Sequence, residues 1–110
     1  PVPVTPYKRI INYTLRANKQ GMFTMPSISE FFGIVIRMYY DDHYPAHFHA
    51  YYGEFEAIID INNIALIRGK LPPRVLALVV EWSAKNQLAL ADNWNLARNR
   101  MPLKDIAPLE

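Results

Sequence analysis

In the segment His47-Phe48-His49-Ala50-Tyr51-Tyr52-Gly53-Glu54-Phe55-Glu56-Ala57-Ile58-Ile59-Asp60-Ile61, polar and apolar side chains alternate on both sides of a glycine. A period of two is that of extended chain. The segment therefore reads as two strands, about His47–Tyr52 and Phe55–Ile61, joined through Gly53. A turn around Tyr52-Gly53, of two or four residues, sets His49 opposite Glu56 and His47 opposite Ile58. Directly opposed residues of an antiparallel pair share a face. Phe48, Ala50, Phe55, Ala57, Ile59 and Ile61 then form an apolar face, and His47, His49, Glu54, Glu56 and Asp60 a polar one. A slip by one residue would mix histidine with Phe55 and Ile59, so hydrophobic patterning selects the first parity.

Working upstream, Ile34, Ile36, Met38 and Tyr40 alternate with Val35, Arg37 and Tyr39, which predicts a further strand and brings Arg37 and Tyr39 to the polar face. Asp41-Asp42-His43-Tyr44-Pro45-Ala46 is turn-like, because proline is excluded from a central strand. Downstream, Asn62-Asn63 can adopt positive φ and turn the chain into a strand at Ile64–Arg68. Pro72-Pro73 then opens a helix, where a missing N–H removes no bond. Val75, Leu76, Leu78, Val79, Val80 and Trp82 make that helix apolar on nearly every side, so it needs cover from more than its own sheet. A more amphipathic helix follows at about Gln87–Asn99, and Trp82 and Trp94 are expected as core anchors. The fold class is α+β: an antiparallel sheet of three to four strands, then two C-terminal helices packed on one face.

A chain of 110 residues, 51% hydrophobic and 20% charged, suits one domain, here residues 25–110. Residues 1–24, with prolines at 1, 3 and 6, read as a flexible N-terminal extension ahead of a start at Met25; a basic arm that docks a partner is the competing reading. Lys8, Arg9, Arg16 and Lys19 lie in that extension and no acid does. Of 12 basic residues eight remain beyond it, against 10 acidic, so the folded part carries a formal charge of −2. That does not favour general attraction to nucleic acid. The absence of cysteine excludes disulfides, thiolate nucleophiles and thiolate metal sites. No apolar run spans a bilayer and no secretory h-region appears, so the expected location is the cytoplasm.

All three histidines fall in Asp42-His43-Tyr44-Pro45-Ala46-His47-Phe48-His49. A carboxylate beside an imidazole raises its pKa and fixes its tautomer, which suits proton transfer. His47, His49 and Glu56, with Arg37 or Lys70 for phosphate charge, could in this way serve as a metal-independent ribonuclease. His43, Tyr39, Glu54 and Asp60 are candidate binding residues around them. The same donors suit a divalent metal, with His43, His47 and His49 as ligands beside Glu56 or Asp42. No spacing matches a defined metal or cofactor motif, and no cofactor is expected. The plain alternative is a solvated polar face, or one that contacts a partner, with cross-strand pairs worth at most ~1 kcal/mol each.

Met25-Pro26-Ser27-Ile28-Ser29-Glu30-Phe31-Phe32-Gly33-Ile34, Tyr39-Tyr40-Asp41-Asp42-His43 and Pro45-Ala46-His47-Phe48-His49-Ala50 resemble the small bacterial Domain of Unknown Function 4160 family. Gly69-Lys70-Leu71-Pro72, Glu81-Trp82 and Asn93-Trp94 extend the resemblance, which covers about Met25 to Leu103. Asn62-Asn63-Ile64-Ala65-Leu66-Ile67-Arg68 departs from it, being more apolar than the acidic stretch expected there. Members are often encoded beside another small uncharacterised domain in toxin–antitoxin-like pairs. The resemblance thus implies a partner-binding component of such a module but brings no catalytic residues. The all-round apolar helix adds the expectation of a homodimer or a small cognate protein partner.

Overall fold

The computed structural model describes residues 26–110; the extension at 1–24 and its alternative as a docking arm lie outside the described residues. Five strands run in simple succession, β1 (Ser27–Phe31), β2 (Ile34–Arg37), β3 (His47–Tyr52), β4 (Phe55–Asp60) and β5 (Ala65–Gly69). Each pairs antiparallel with the next, in the order β1-β2-β3-β4-β5. Two helices follow, α1 (Pro73–Lys85) and α2 (Gln87–Arg98). The fold is α+β as expected, with one strand more than predicted. The extra strand is β1, whose alternation is broken by a bulge between Ser27 and Ser29, so that both Ile28 and Ser29 are buried.

The β3–β4 hairpin keeps the expected faces but not the expected register. Tyr52 pairs with Phe55, His49 with Ile58 and His47 with Asp60. The turn is therefore Gly53-Glu54, with Gly53 at φ +57°, one residue later than the predicted centre. Moving the centre by one residue shifts the pairing by two. Side-chain parity is preserved, and His49 faces Ile58 in place of Glu56. The β4–β5 turn also differs: the positive φ falls on Ile64 (51°), not on an asparagine. Asp60 Oδ1 accepts the backbone N–H groups of Asn62 and Asn63 and fixes the turn from its first residue.

Ile36, Phe48, Ala50, Ala57 and Ile59 of the sheet join Val75, Val79 and Trp82 of α1 and Leu90, Trp94 and Ala97 of α2 in one hydrophobic cluster. Trp82 lies at its centre, its ring 5.3 Å from Phe31 and edge-on to Phe48 at 5.7 Å. Its indole N–H is satisfied by the carbonyl of Ala107. The final segment is pinned at two further points. Asn93 bonds both the N–H and the carbonyl of Lys104, and Ile106 N–H donates to Ile28 O on β1. Val75, Val79, Trp82 and Ser83 of α1 are buried within the chain, whereas Val80 remains exposed. Among the described residues no helix is long and apolar enough to cross a membrane.

Candidate functional site

β2 ends at Arg37, three residues earlier than predicted, and residues 38–46 lead to β3 without regular structure, bringing Asp42 to its polar face. The C-terminal end of α2 clasps this connection. Asp41 N–H donates to Ala97 O, Arg98 Nη1 donates to Asp42 O, and Arg100 forms an ion pair with Asp41. The guanidinium of Arg98 also lies over the Tyr44 ring, 4.8 Å from its centre. These contacts place Asp42 against the two strand histidines.

Alternation along β3 sends His47 and His49 to the face opposite Phe48 and Ala50. Both are buried. His47 Nδ1 donates to Pro45 O at 2.7 Å and its Nε2 lies 2.9 Å from Asp42 Oδ2. A carbonyl only accepts, so Nδ1 carries a proton in this arrangement. His49 Nδ1 bonds Glu56 Oε2 at 3.0 Å. Its Nε2 is buried without a hydrogen-bond partner, 3.6 Å from the same Asp42 Oδ2. That separation is an electrostatic contact and too long for a hydrogen bond. The other Asp42 oxygen, Oδ1, accepts the backbone N–H of His43 at 2.9 Å.

Charge follows from this geometry. Burial alone would raise the Asp42 carboxyl, but the hydrogen bond from His47 and the positive charge of His47 and His49 outweigh it and hold the group well below the usual carboxylate range. For His49, burial pulls the imidazole down. Asp42 and Glu56, one at each ring nitrogen, more than compensate, and its pKa is raised. Tyr51 and Tyr39 close the side of the site. Their hydroxyls hydrogen-bond each other, the Tyr39 ring meets His49 edge-on at 4.4 Å, and Tyr51 stacks over His49 at 6.3 Å. Burial, more than any other cause, pushes both phenols up.

Of the predicted residues, the fold brings together His47, His49, Glu56 and Tyr39, with Arg37 directly opposite His49 on the ladder. The others lie at its margin, with the His43 ring 5.7 Å from that of His47 and Asp60 paired with His47 on the ladder. Glu54 is exposed in the hairpin turn, Asp60 is engaged in its own turn, and His43 stands at the rim with its side chain 87% exposed. Two residues carry more weight than the sequence suggested. Asp42 is the hub of the cluster, and Tyr51 shares the parity of His47 and His49, a signal present in the strand pattern. As a set, Asp42, His47 and His49 each offer one ligand atom, and these atoms lie within 4.8 Å of one another.

The family model described as "Domain of unknown function (DUF4160)" matches residues 33–95, more than half of the chain. The chain belongs to this family. The match to DUF4160 spans β2 through most of α2 and so includes Asp42, His47, His49, Tyr51 and Glu56. No curated protein and no solved structure matches the chain.

Proposed function

We propose that the protein binds a divalent transition-metal ion through Asp42 Oδ2, His47 Nε2 and His49 Nε2. One observation carries this reading: each of the three side chains has its other polar atom occupied. Asp42 Oδ1 takes the His43 N–H, His47 Nδ1 is bonded to Pro45 O, and His49 Nδ1 to Glu56. The three remaining atoms converge. Ligating histidines commonly donate their second nitrogen to a carbonyl or a carboxylate, which orients the ring and strengthens it as a donor. Ligands ~2.0–2.1 Å from a tetrahedral ion lie ~3.3 Å from one another, comparable with the 2.9 and 3.6 Å seen here. Two imidazoles and one carboxylate suit zinc, iron, manganese or nickel better than calcium or magnesium, which prefer oxygen. Three protein ligands also leave coordination open, as in metal sites that act on a bound molecule.

Calorimetric titration of untagged protein with zinc at neutral pH tests the reading. The expected result is uptake near one ion per chain, abolished in His47→Ala and Asp42→Asn. No uptake, or the same uptake in both variants, overturns it. Metal-independent acid–base cleavage of RNA draws less support, because both rings are buried and their Nε2 atoms turn toward Asp42 and not toward solvent.

A separate observation favours a protein partner, as expected of a toxin–antitoxin-like component. β5 is an edge strand exposed at all five positions, and it presents Leu66 and Ile67 to solvent. The opposite edge, β1, is bonded by Ile106. An uncovered edge is a template for an added strand. Amide exchange of the chain with and without its co-expressed neighbour should show protection confined to Ala65–Gly69; unchanged exchange there removes this role for β5.

A further inference from the structure

All three histidines have Nδ1 against an acceptor and Nε2 toward one carboxylate. For His43 the acceptor is Tyr44 O at 3.1 Å, and Nε2 lies 3.8 Å from Asp42 Oδ1. His43 differs in one respect: its side chain is 87% exposed, against 4% for His47 and 10% for His49. Its Cα cannot drift far, because its own N–H is bonded to Asp42 Oδ1, while its ring projects from the connection into solvent. An imidazole anchored next to the carboxylate and held otherwise by one exposed hydrogen bond has the reach of a ligand without the confinement of one. With the other two rings buried, His43 is the most exposed imidazole of the cluster.

We infer that His43 is a detachable fourth ligand. Its Nε2 closes the coordination sphere of an ion held by Asp42, His47 and His49, and its withdrawal opens one position to a small donor from solvent, a neutral nitrogen base or an anion. The inference rests on the metal reading above. The core trio grips the ion, whereas His43 sets whether the ion is sealed or accessible. An ordinary surface histidine would share the exposure but would leave the ion's surroundings unchanged when removed.

Cobalt(II), whose visible absorption reports coordination number, is the probe. Wild-type protein should take up one cobalt with the intense bands of a four-coordinate site. Free imidazole at high concentration should alter those bands by competing for the detachable position. His43→Ala should still bind one cobalt, about tenfold more weakly, with weaker bands that imidazole restores. His43→Gln should resemble His43→Ala in the absence of imidazole. If wild-type protein takes up no cobalt, the trio itself fails and the inference falls with it. If wild type and His43→Ala have equal affinity and the same bands, or imidazole has no effect on either, the trio stands and His43 is not a ligand. Complete loss of cobalt from a folded His43→Ala chain would make His43 an obligatory ligand and overturn its detachability.

Discussion

His49 Nδ1 bonds Glu56 Oε2 at 3.0 Å although the ladder sets His49 opposite Ile58 and Glu56 opposite Tyr51. The pair is therefore diagonal, one step along the strand on a common face, within reach of a glutamate side chain. In this position Glu56 fixes the ring so that Nε2 points at Asp42, and its charge contributes to the raised pKa of His49. Glu56→Gln can still accept the Nδ1 proton but lacks the charge. The expected outcome is a lower titration midpoint for His49 in the apo protein, followed by NMR of the ring protons. Zinc affinity should fall about tenfold, since outer ligand partners typically contribute ~10–100-fold.

The apo site should make stability depend on pH in both directions. Asp42 has a lowered pKa in the folded state, so its contribution is present above the ordinary carboxylate range, ~3.9, and is lost as pH falls toward its depressed value. His49 has a raised pKa, so its contribution is complete below the ordinary histidine value, ~6.5, and is lost as pH rises through the folded one. The combined contribution is largest between about pH 4 and 6.5. Urea unfolding in the presence of a chelator should show this maximum. In Asp42→Asn both flanks should flatten, because His49 also loses one of its two carboxylates.

Metal should reverse the alkaline flank. Ligation needs imidazoles without a proton on Nε2, so an ion competes with protons and binds more tightly as pH rises. Zinc at a hundredfold excess over its dissociation constant should stabilise the fold by ~2.7 kcal/mol, read as a rise in the thermal midpoint that grows from pH 6 to pH 8 (about two units across the histidine range). His47→Ala should abolish the rise while leaving a cooperative transition.

The polar face could be read from the sequence because side-chain parity survives a register error. Shifting the β3–β4 turn from Tyr52-Gly53 to Gly53-Glu54 moves each partner by two, which changes who faces whom but not which surface they share. In the sequence Asp42 reads only as a turn residue or a secondary ligand, because nothing local singles it out. Its position is set by Ala97 and Arg98, more than fifty residues later in the chain, gripping the backbone around it. β1 is hidden in the sequence for a different reason: the bulge at Ser27/Ser29 places two successive side chains, Ile28 and Ser29, in buried positions and interrupts the period of two. Part of the cover that α1 needs beyond the sheet comes from the C-terminal segment, whose Ile106 and Leu109 are buried in the same core.

That segment yields a prediction of its own. The Asn93 side chain is fully buried and bonds Lys104 through both its amide groups. Asn93→Ala leaves the Lys104 N–H and carbonyl without these partners, at a cost of ~1–3 kcal/mol. Amide exchange should rise selectively at Lys104 and Ile106, which bond to Asn93 and Ile28. The β3–β4 amides should remain protected to the level of global unfolding. Uniform acceleration would mean that the segment and the sheet open as one unit.

Gly69 ties the end of β5 to the strand that carries Glu56. Its φ is +80°, and a Cβ placed there would lie 2.1 Å from the carbonyl oxygen of Glu56. That oxygen cannot easily retreat, because Lys70 N–H is bonded to it at 3.0 Å and residue 56 is held in the β3–β4 ladder. Gly53 also has positive φ, but a Cβ there meets nothing within 4 Å. The two positions therefore separate backbone strain from collision. Gly53→Ala should cost only the left-handed conformation, ~1 kcal/mol. Gly69→Ala should cost ~3 kcal/mol or more, as strain and steric overlap combine. Because the collision pushes on β4 at Glu56, Gly69→Ala should also weaken zinc binding, whereas Gly53→Ala should leave it unchanged. Urea unfolding paired with zinc calorimetry on both variants checks this; equal destabilisation, or equal zinc affinity, would mean that β4 does not transmit the displacement to His49.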